Sequence, residues 1–229
     1  MPNVLNNLSV SRVLRSKEDA KSSYNQLSNW YDLVSGSSEK KYRDIGIQKL
    51  DAREGEKVLE IGYGTGHCIL ALAQTIGDSG KVYGIDLSEG MSAITQERVR
   101  KAGLADRVNL QVGDAASLPF DPNSLDAIFM SFTLELFDTP EIPLVLKQCH
   151  QVLRPEGRIV VVSLVKKPGL ATQIYEWFHE KMPSAVDCRP IFAQQDLAAA
   201  GFEIRDVEAL SMWGLPVEII VAAKKGNRP

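Results

Sequence analysis

The chain has 229 residues, of which 44% are hydrophobic and 24% are charged, and its formal net charge is −3. These proportions are typical of a soluble globular protein that is long enough to bury a sizeable core in one domain. They exclude two classes, because nucleic-acid binding requires a clustered basic surface and a membrane span requires about 18 consecutive apolar residues.

The first 50 residues predict two regions. Residues 1–22 are polar without clear periodicity, which predicts a flexible N-terminal arm. They also lack the apolar stretch of a signal peptide, so we expect a cytoplasmic protein. Residues 23–50 contain Trp30, Tyr31 and Tyr42 and predict lid helices. These aromatic residues either cover a ligand or simply dock a helix on the rest of the domain.

The most informative segment is a predicted strand over 57–61 followed by three glycines at alternate positions, Gly62, Gly64 and Gly66. Glycines here let the backbone turn tightly and let a ligand lie against bare main chain. The helix predicted over 66–76 directs unpaired N–H groups to the same place. The dinucleotide fingerprint is not matched, since His67 stands where its third glycine belongs. The segment therefore indicates a cofactor site and leaves the cofactor open.

Two further predicted strands have an acidic residue at or just after their carboxyl end. The strand predicted over 81–86 ends in Asp86, whose carboxylate can accept from both hydroxyls of a ribose. A helix over 89–102 and a strand over 108–112 follow, and Asp114 and Ala115 come directly after that strand. Each acid taken alone is more typical of a residue that precedes a helix, and only their joint order favours a nucleoside site.

The remaining elements complete an alternating pattern. The sequence predicts a strand over 125–132, a helix over 141–153, a strand over 158–164, helices over 170–181 and 193–200, and strands over 202–209 and 217–223. The stretch 118–124 is too short and too proline-rich for a helix. This alternation predicts an α/β fold with a sheet covered on both faces. We expect one domain over 23–229, with 165–192 inserted on the substrate side.

The order of the strands, the glycine loop and the strand-ending acids resembles that of the S-adenosylmethionine-dependent methyltransferases of the Rossmann-like class. The resemblance is strongest to the ubiquinone/menaquinone biosynthesis C-methyltransferase (type 11) group. The resemblance rests on the acid and glycine loop, Asp86, the Asp114-Ala115 pair and the element Leu153-Arg154-Pro155-Glu156-Gly157. It implies a doubly wound, mostly parallel sheet of seven strands whose last strand is antiparallel. It also implies S-adenosylmethionine as the cofactor and no metal.

The resemblance further implies which residues bind that cofactor. They are Tyr31, Glu60, Gly62, Gly64, Gly66, Asp86, Leu87, Met91, Asp114, Ala115 and Ser131. The glycines would flank the methionine portion of the cofactor. Asp86 would hold its ribose, and Asp114 and Ala115 would contact the edge of its adenine. Tyr63 departs from the family pattern, which has a small residue or Cys between the first two glycines, and we expect its ring to point outward.

Glu135 is the candidate catalytic residue, since it is the only ionisable group in the apolar run 130–137. A carboxylate with apolar neighbours has a raised pKa and can accept a proton. The alternative is a structural role, in which Glu135 caps a short helix or holds the amino group of the cofactor. The three cysteines form no C-x-x-C pair, and Cys149 falls on an apolar helical stripe as a core residue.

We expect an enzyme that moves a methyl group to a small, apolar acceptor such as a quinone-type ring. Methylation of a lipid amine, a phenol or a thiol stays open, as does a noncatalytic sensor or scaffold that binds S-adenosylmethionine. A nicotinamide-dependent oxidoreductase is disfavoured by His67 and by the lack of a second domain. The expected partner is a small-molecule acceptor, with no nucleic acid and no membrane span, although a lipophilic acceptor allows peripheral membrane contact. No pattern indicates an oligomeric state.

Overall fold

A computed structural model describes residues 10, 12, 13, 16–27, 36–169, 172, 175 and 188–226. The strands are β1 Lys57–Ile61, β2 Lys81–Asp86, β3 Val108–Val112, β4 Leu125–Ser131, β5 Leu153–Leu164, β6 Phe202–Met212 and β7 Leu215–Lys224. The described α-helices are α1 Lys17–Leu27, α2 Gly36–Leu50, α3 His67–Thr75, α4 Glu89–Lys101, α5 Ile142–Val152 and α6 Ala193–Ala199. Two 3₁₀ turns lie at Ala105–Arg107 and Leu134–Leu136.

The seven strands form one sheet in the order β3-β2-β1-β4-β5-β7-β6. The pairs from β3 to β5 are all parallel, whereas β7 runs antiparallel to both β5 and β6. The predicted doubly wound sheet with an antiparallel last strand is therefore confirmed. The chain first moves outward from β1 to β3 and then resumes at β4 on the other side of β1. Ligands of such sheets bind at the carboxyl ends of the strands on either side of this switch.

The sheet is buried on both faces, as its continuous apolar strands predict. One apolar layer joins the sheet to α5 and α6, with Leu146 and Leu197 fully buried in it. The second layer joins the opposite face to α2 and α3 and includes Leu50 and Leu72, which are also fully buried. Parallel strands require this double cover, because crossover helices lie on both faces. The helices therefore leave the carboxyl ends of the strands free for a site.

Helix α2 belongs to the core, which differs from the lid expected over 23–50. It packs against β4, β5 and β7, and Tyr42 and Leu50 are buried there. Gly46 permits the close approach, since a Cβ atom at this position would lie 2.8 Å from Val162 Cγ2. A helix this close to the sheet cannot act as a lid without breaking the core. Trp30 and Tyr31 lie outside the described residues.

Several predicted boundaries shift by a few residues. Helix α5 ends at Val152, and β5 begins at Leu153 rather than at 158 because Leu153 pairs with Leu125. The connector between β6 and β7 is a two-residue turn, Trp213-Gly214, in which both residues have positive φ. This backbone matches the tight turns that the twist of a hairpin favours. The stretch 118–124 contains no helix, as predicted.

Helix α1 gives residues 17–27 a defined structure, whereas the sequence predicts a flexible arm up to residue 22. The polar side chains of this segment have no apolar periodicity because they contact charged groups of α4 and of neighbouring loops. Residues 1–9 lie outside the described part of the chain. Within that part, no helix has the length and apolar character needed to cross a bilayer.

Candidate functional site

A cavity opens at the carboxyl ends of β1, β2 and β4, where the strand order reverses. Its wall combines the strand ends, the loops after them and the start of the chain, and it consists of Val13, Ser16, Lys17, Ile61, Gly62, Gly64, Ile85, Asp86, Leu87, Met91, Gly113, Ala115, Ser131, Phe132, Thr133, Leu136, Phe137, Asp138 and Glu141. The position agrees with the general rule for open α/β sheets.

The three glycines of the loop have different tasks, although all have positive φ. A Cβ atom at Gly62 would overlap the side chain of Thr133, and one at Gly66 would overlap that of Thr95. At Gly64 a Cβ atom would meet nothing within 4 Å, and this residue lines the cavity. Gly64 therefore supplies the bare main-chain surface, while Gly62 and Gly66 permit the tight packing that holds the loop in place.

The N–H groups of the three glycines are bonded within the protein. Gly62 N donates to Ile85 O at 2.8 Å and Gly66 N donates to Tyr63 O at 2.9 Å. Gly64 N donates to Asp86 Oδ2 at 2.9 Å. These three glycines therefore contribute the shape of the loop and the orientation of Asp86.

Asp86 ends β2 and lies on the cavity wall. Its Oδ1 accepts from Ser88 N and its Oδ2 from Gly64 N, both at 2.9 Å. Burial raises the pKa of this carboxyl, and the N–H donors of Ser88, Gly64 and Leu87 partly oppose that shift. Each carboxylate oxygen accepts about two hydrogen bonds, so Asp86 keeps acceptor capacity for the hydroxyls of a sugar.

The loop after β3 reaches the cavity through Gly113 and Ala115. The carboxylate of Asp114 is not part of the wall, since Oδ1 accepts from Ala116 N at 2.9 Å and Oδ2 accepts from Lys17 Nζ at 2.6 Å. Lys17, which does line the cavity, therefore competes with the adenine of the cofactor for the carboxylate of Asp114.

Two buried polar atoms, one on the cavity wall and one in the neighbouring strand β1, have no hydrogen-bond partner among the described residues. They are Ser131 Oγ, on the cavity wall, and Glu60 Oε2, one residue before the end of β1. Glu60 is 3% exposed, and burial raises its pKa well above the ordinary range of a carboxyl. Buried polar atoms are nearly always paired, so Ser131 Oγ on the wall indicates a polar ligand group or bound water at this place.

Tyr63 points inward, contrary to the expectation that its ring faces solvent. It is 3% exposed, and its hydroxyl donates to Gln111 O at 3.4 Å. The ring lies over Gly84 of β2, where a Cβ atom would be 2.6 Å from Tyr63 Cδ1. Burial raises the pKa of Tyr63 to about 12. The missing side chain at Gly84 therefore creates the space that an unusually large loop residue occupies.

Glu135 is fully buried in the 3₁₀ turn after β4, behind the cavity wall rather than on it. Its Oε1 accepts from Leu164 N at 3.1 Å at the end of β5, and its Oε2 has no partner. Burial raises the pKa of Glu135 to about 8, while the Leu164 N–H and the charge of Arg189 lower it. Its chain neighbours Leu134 and Leu136 are apolar, and Leu136 is part of the wall.

Arg189 is a buried residue that the sequence did not identify. Its side chain is fully buried, Nη2 donates to Phe137 O, and Nε and Nη1 have no partner. Since Phe137 lines the cavity, Arg189 supports the wall from behind. The segment 188–191 reaches this position because Ile191 pairs with Val165 at the end of β5. A lone Arg before Pro190 carries no periodic signal that would have revealed this contact.

The structure thus brings together most of the predicted cofactor-binding residues. Those on the cavity wall are Gly62, Gly64, Asp86, Leu87, Met91, Ala115 and Ser131. Four predicted residues are adjacent to it without lining it, namely Glu60, Gly66, Asp114 and Glu135. Tyr31 lies outside the described residues. The sequence missed the contribution of the first residues, Val13, Ser16 and Lys17, because no pattern marks them.

Comparison with known proteins gives two kinds of similarity. Residues 58–157 match the family described as methyltransferase domain. The demethylmenaquinone methyltransferase of Geobacillus stearothermophilus is 33% identical over 175 residues, covering 75% of this chain and 72% of the relative. The protein of the same name from Bacillus subtilis strain 168 is 32% identical over 162 residues, covering 70% and 67% of the two chains.

Solved structures share the fold at lower identity. The 4+2 cyclase SpnF superposes with a TM-score of 0.75 at 20% identity, covering 93% of this chain and 98% of its own. A structure described as a SAM-dependent methyltransferase from Aquifex aeolicus gives a TM-score of 0.66 at 22% identity, covering 87% and 98%. Since one of these neighbours is described as a cyclase, the fold by itself does not decide the reaction.

Proposed function

Because this chain belongs to the S-adenosylmethionine-dependent methyltransferase family that includes the demethylmenaquinone methyltransferases, we propose that it methylates a small, apolar acceptor with a quinone-type ring. The observation that carries the proposal is the similarity to demethylmenaquinone methyltransferases, which reaches 33% identity over 72% of the relative's length. The apolar part of the cavity wall supports it, since Phe132, Leu136 and Phe137 suit a flat hydrophobic ring.

The residues of the cavity fit the cofactor of this family. Asp86 retains acceptor capacity for ribose hydroxyls, and Gly64 leaves open main chain where a larger residue would project. Ser131 Oγ is the unpaired polar atom of the cavity wall that would receive the amino-acid end of the cofactor. When bound, S-adenosylmethionine supplies a methyl group carried on a positively charged sulfur.

The residues around the acceptor would position it and exclude water. Phe132 has φ +49°, a strained conformation for an aromatic residue, and Phe132 N donates to Val162 O at 2.8 Å. Backbone strain of this kind concentrates at functional sites, where the surrounding structure enforces it. An apolar wall favours methyl transfer because a positive charge is lost in the reaction, and fixed alignment removes much of the entropic cost.

We propose Glu135 as the group that accepts the proton released by the acceptor. It is a fully buried carboxyl beside the wall, and its pKa of about 8 is close to the value that suits a base at neutral pH. Its unpaired Oε2 has capacity for that proton. Because the carboxyl lies behind Leu136, contact with an acceptor requires a shift of the 3₁₀ turn.

The proposed acceptor class is tested with a panel that contains a demethylated naphthoquinol, a phenol, a lipid amine and a thiol. Formation of S-adenosylhomocysteine is followed in a coupled assay, and the methylated product is identified by mass spectrometry. We expect turnover with the naphthoquinol and methylation at a ring carbon. Turnover only with the amine, phenol or thiol would replace the proposed acceptor by that class. Turnover with none of the four would overturn it.

The proposed role of Glu135 predicts a specific change in the pH profile. In the wild type, kcat should rise with pH as the carboxyl loses its proton around pH 8. In Glu135→Gln, kcat should fall by about 10²–10⁴-fold and this rise should disappear. The control is Glu97→Gln, which removes an exposed carboxyl of α4 far from the acceptor and should keep the pH-dependent rise. Full turnover in Glu135→Gln would show that Glu135 is not the base.

A further inference from the structure

Helix α1 is joined to the rim of the cavity by an ion triad. Lys17 Nζ lies 2.6 Å from Asp114 Oδ2 and 2.6 Å from Glu141 Oε1. Asp114 follows β3 and Glu141 precedes α5, so one ammonium group links α1 to two loops at the carboxyl edge of the sheet. Lys17 and Glu141 both line the cavity.

A second ion pair fixes the residues just before α1. The guanidinium of Arg12 donates from Nε and Nη2 to the carboxylate of Asp138, with distances of 2.6 to 2.9 Å. Val13 N also donates to Asp138 Oδ1 at 3.0 Å. Val13 and Asp138 are both part of the cavity wall, so this pair covers the side of the cavity next to β4.

The far part of α1 is attached to the start of α4. Asn25 Oδ1 accepts from Ser88 Oγ at 2.6 Å and from Gly90 N at 2.9 Å, and Lys21 Nζ lies 2.7 Å from Glu89 Oε1. Helix α4 begins three residues after Asp86, the predicted ribose contact. Helix α1 therefore runs from the loop after β4 to the start of α4, with its first residue, Lys17, on the cavity wall.

We propose that Lys17 is a positioning residue of the cofactor site, whose ion pairs with Asp114 and Glu141 hold the start of α1 against the cavity wall and must open for the cofactor to exchange. The inference rests on the cofactor site proposed above. Both oxygens of Asp114 are engaged, one by Ala116 N and the other by Lys17 Nζ. A nucleoside base that approached Asp114 would therefore meet Lys17 first.

The triad is better suited to this task than the Lys21–Glu89 pair of α1. The two carboxylates that pair with Lys17, those of Asp114 and Glu141, are 34% and 30% exposed, whereas Glu89, the partner of Lys21, is 66% exposed. Partly buried charges are screened less by water and salt than exposed ones. Pairing with two carboxylates raises the pKa of Lys17 even though burial opposes that shift, so its ammonium stays charged.

The test is the rate at which S-adenosylhomocysteine dissociates from the protein, measured by competition in a stopped-flow instrument. Lys17→Met should dissociate about tenfold faster than the wild type, and Lys17→Arg should stay within about twofold of it. Lys21→Met is the matched control, because Lys21 forms a similar ion pair on the same helix without lining the cavity. It should also stay within about twofold.

The salt dependence of the dissociation rate is a second test, and it can be measured on the wild type as well as on the variants. Raising the salt concentration shortens the screening length from about 10 Å at 0.1 M to about 3 Å at 1 M, which weakens partly exposed pairs. Dissociation from the wild type should accelerate, and the acceleration should be smaller in Lys17→Met than in Lys21→Met, because only Lys21→Met keeps the pairs of Lys17. A wild-type rate independent of salt, or equal acceleration in Lys17→Met and Lys21→Met, would overturn the inference.

Failure of the underlying site is distinguishable from failure of this inference. If Asp86→Asn binds S-adenosylhomocysteine as tightly as the wild type, the assignment of the cavity is wrong. If Asp86→Asn loses affinity while Lys17→Met keeps the wild-type dissociation rate, the cavity assignment holds and the role of Lys17 is refuted. Thermal unfolding without ligand shows whether Lys17→Met is folded. If it is not, the inference is decided by the salt dependence of the dissociation rate in the wild type and by the dissociation rate of Lys17→Arg.

Discussion

At the scale of single residues, two buried carboxyl groups next to the cavity depend most strongly on their surroundings for their protonation state. Glu60 and Glu135 are almost completely buried, each with one carboxylate oxygen unpaired. A carboxyl in such surroundings favours its neutral form, because burial penalises charge. Both residues sit at the carboxyl edge of the sheet next to the cavity, and both therefore link the protonation state of the site to the stability of the fold.

The pKa of Glu135 predicts how stability depends on pH. Its pKa is about 8 in the folded state and near the ordinary value of 4.5 when unfolded, so between these pH values the folded protein binds more protons. The contribution of Glu135 is therefore fully present below about pH 4.5 and is lost as pH rises to 8, by at most about 1.4 kcal/mol per pH unit.

Glu135→Gln should remove this dependence, since Gln resembles the protonated carboxyl. Urea unfolding at several pH values should show that the free energy of unfolding of Glu135→Gln exceeds that of the wild type increasingly as pH rises from 5 to 8. Glu97→Gln is the control, because Glu97 is exposed and forms only helix surface pairs. A constant difference between Glu135→Gln and the wild type would contradict the assigned pKa.

Close approaches between elements depend on small residues. Gly46 lets α2 pack against β4 and β5, and Gly84 lets the glycine loop fold its Tyr63 over β2. In both places a missing Cβ atom is matched by a large neighbour. The loop conformation and the strand sequence are therefore coupled, although Tyr63 and Gly84 are 21 positions apart in the sequence.

Gly84→Ala should destabilise the protein by about 1–3 kcal/mol, since the added Cβ would lie 2.6 Å from Tyr63 Cδ1 and 2.7 Å from Leu110 Cδ2. The free energy of unfolding is measured with urea. Gly169→Ala is the matched control, because a Cβ there meets nothing within 4 Å.

The double variant Tyr63→Ala/Gly84→Ala should be less destabilised than the sum of its single variants, since the overlap with the ring is gone. Strict additivity would mean that the two residues do not share this space.

At the scale of the whole molecule, the site belongs to no single element. Strand ends from β1, β2 and β4, the start of α4 and the residues preceding α1 all contribute to one wall. A ligand that fills such a cavity links segments from distant parts of the chain, and it binds only the folded protein. Ligand binding and global stability are therefore coupled.

S-Adenosylhomocysteine at about 100 times its Kd should raise the free energy of unfolding by about 2.7 kcal/mol. For a chain of this length the corresponding rise in Tm is about 5–10 °C, measured by differential scanning fluorimetry. Asp86→Asn should show a much smaller rise at the same ligand concentration, and NAD should produce none in either protein. A rise with NAD alone would contradict the assignment of the cofactor.

The sequence by itself determined the order of helices and strands and the edge of the sheet where the site lies. These properties follow from local patterns, because apolar runs, glycine positions and strand-ending acids each act within a few residues. Gly64, Asp86 and Ala115 were assigned to the cofactor through the family resemblance that these patterns carry, and the structure places them on one cavity wall.

Only the tertiary structure decided which side chains face one another. Lys17 meets Asp114 across 97 positions, Arg189 donates to Phe137 O across 52, and Glu135 accepts from Leu164 N across 29. The inward ring of Tyr63 likewise depends on Gly84 in the next strand. No local pattern encodes these contacts, because each depends on how separate elements pack and on where the packing leaves a charge or a space.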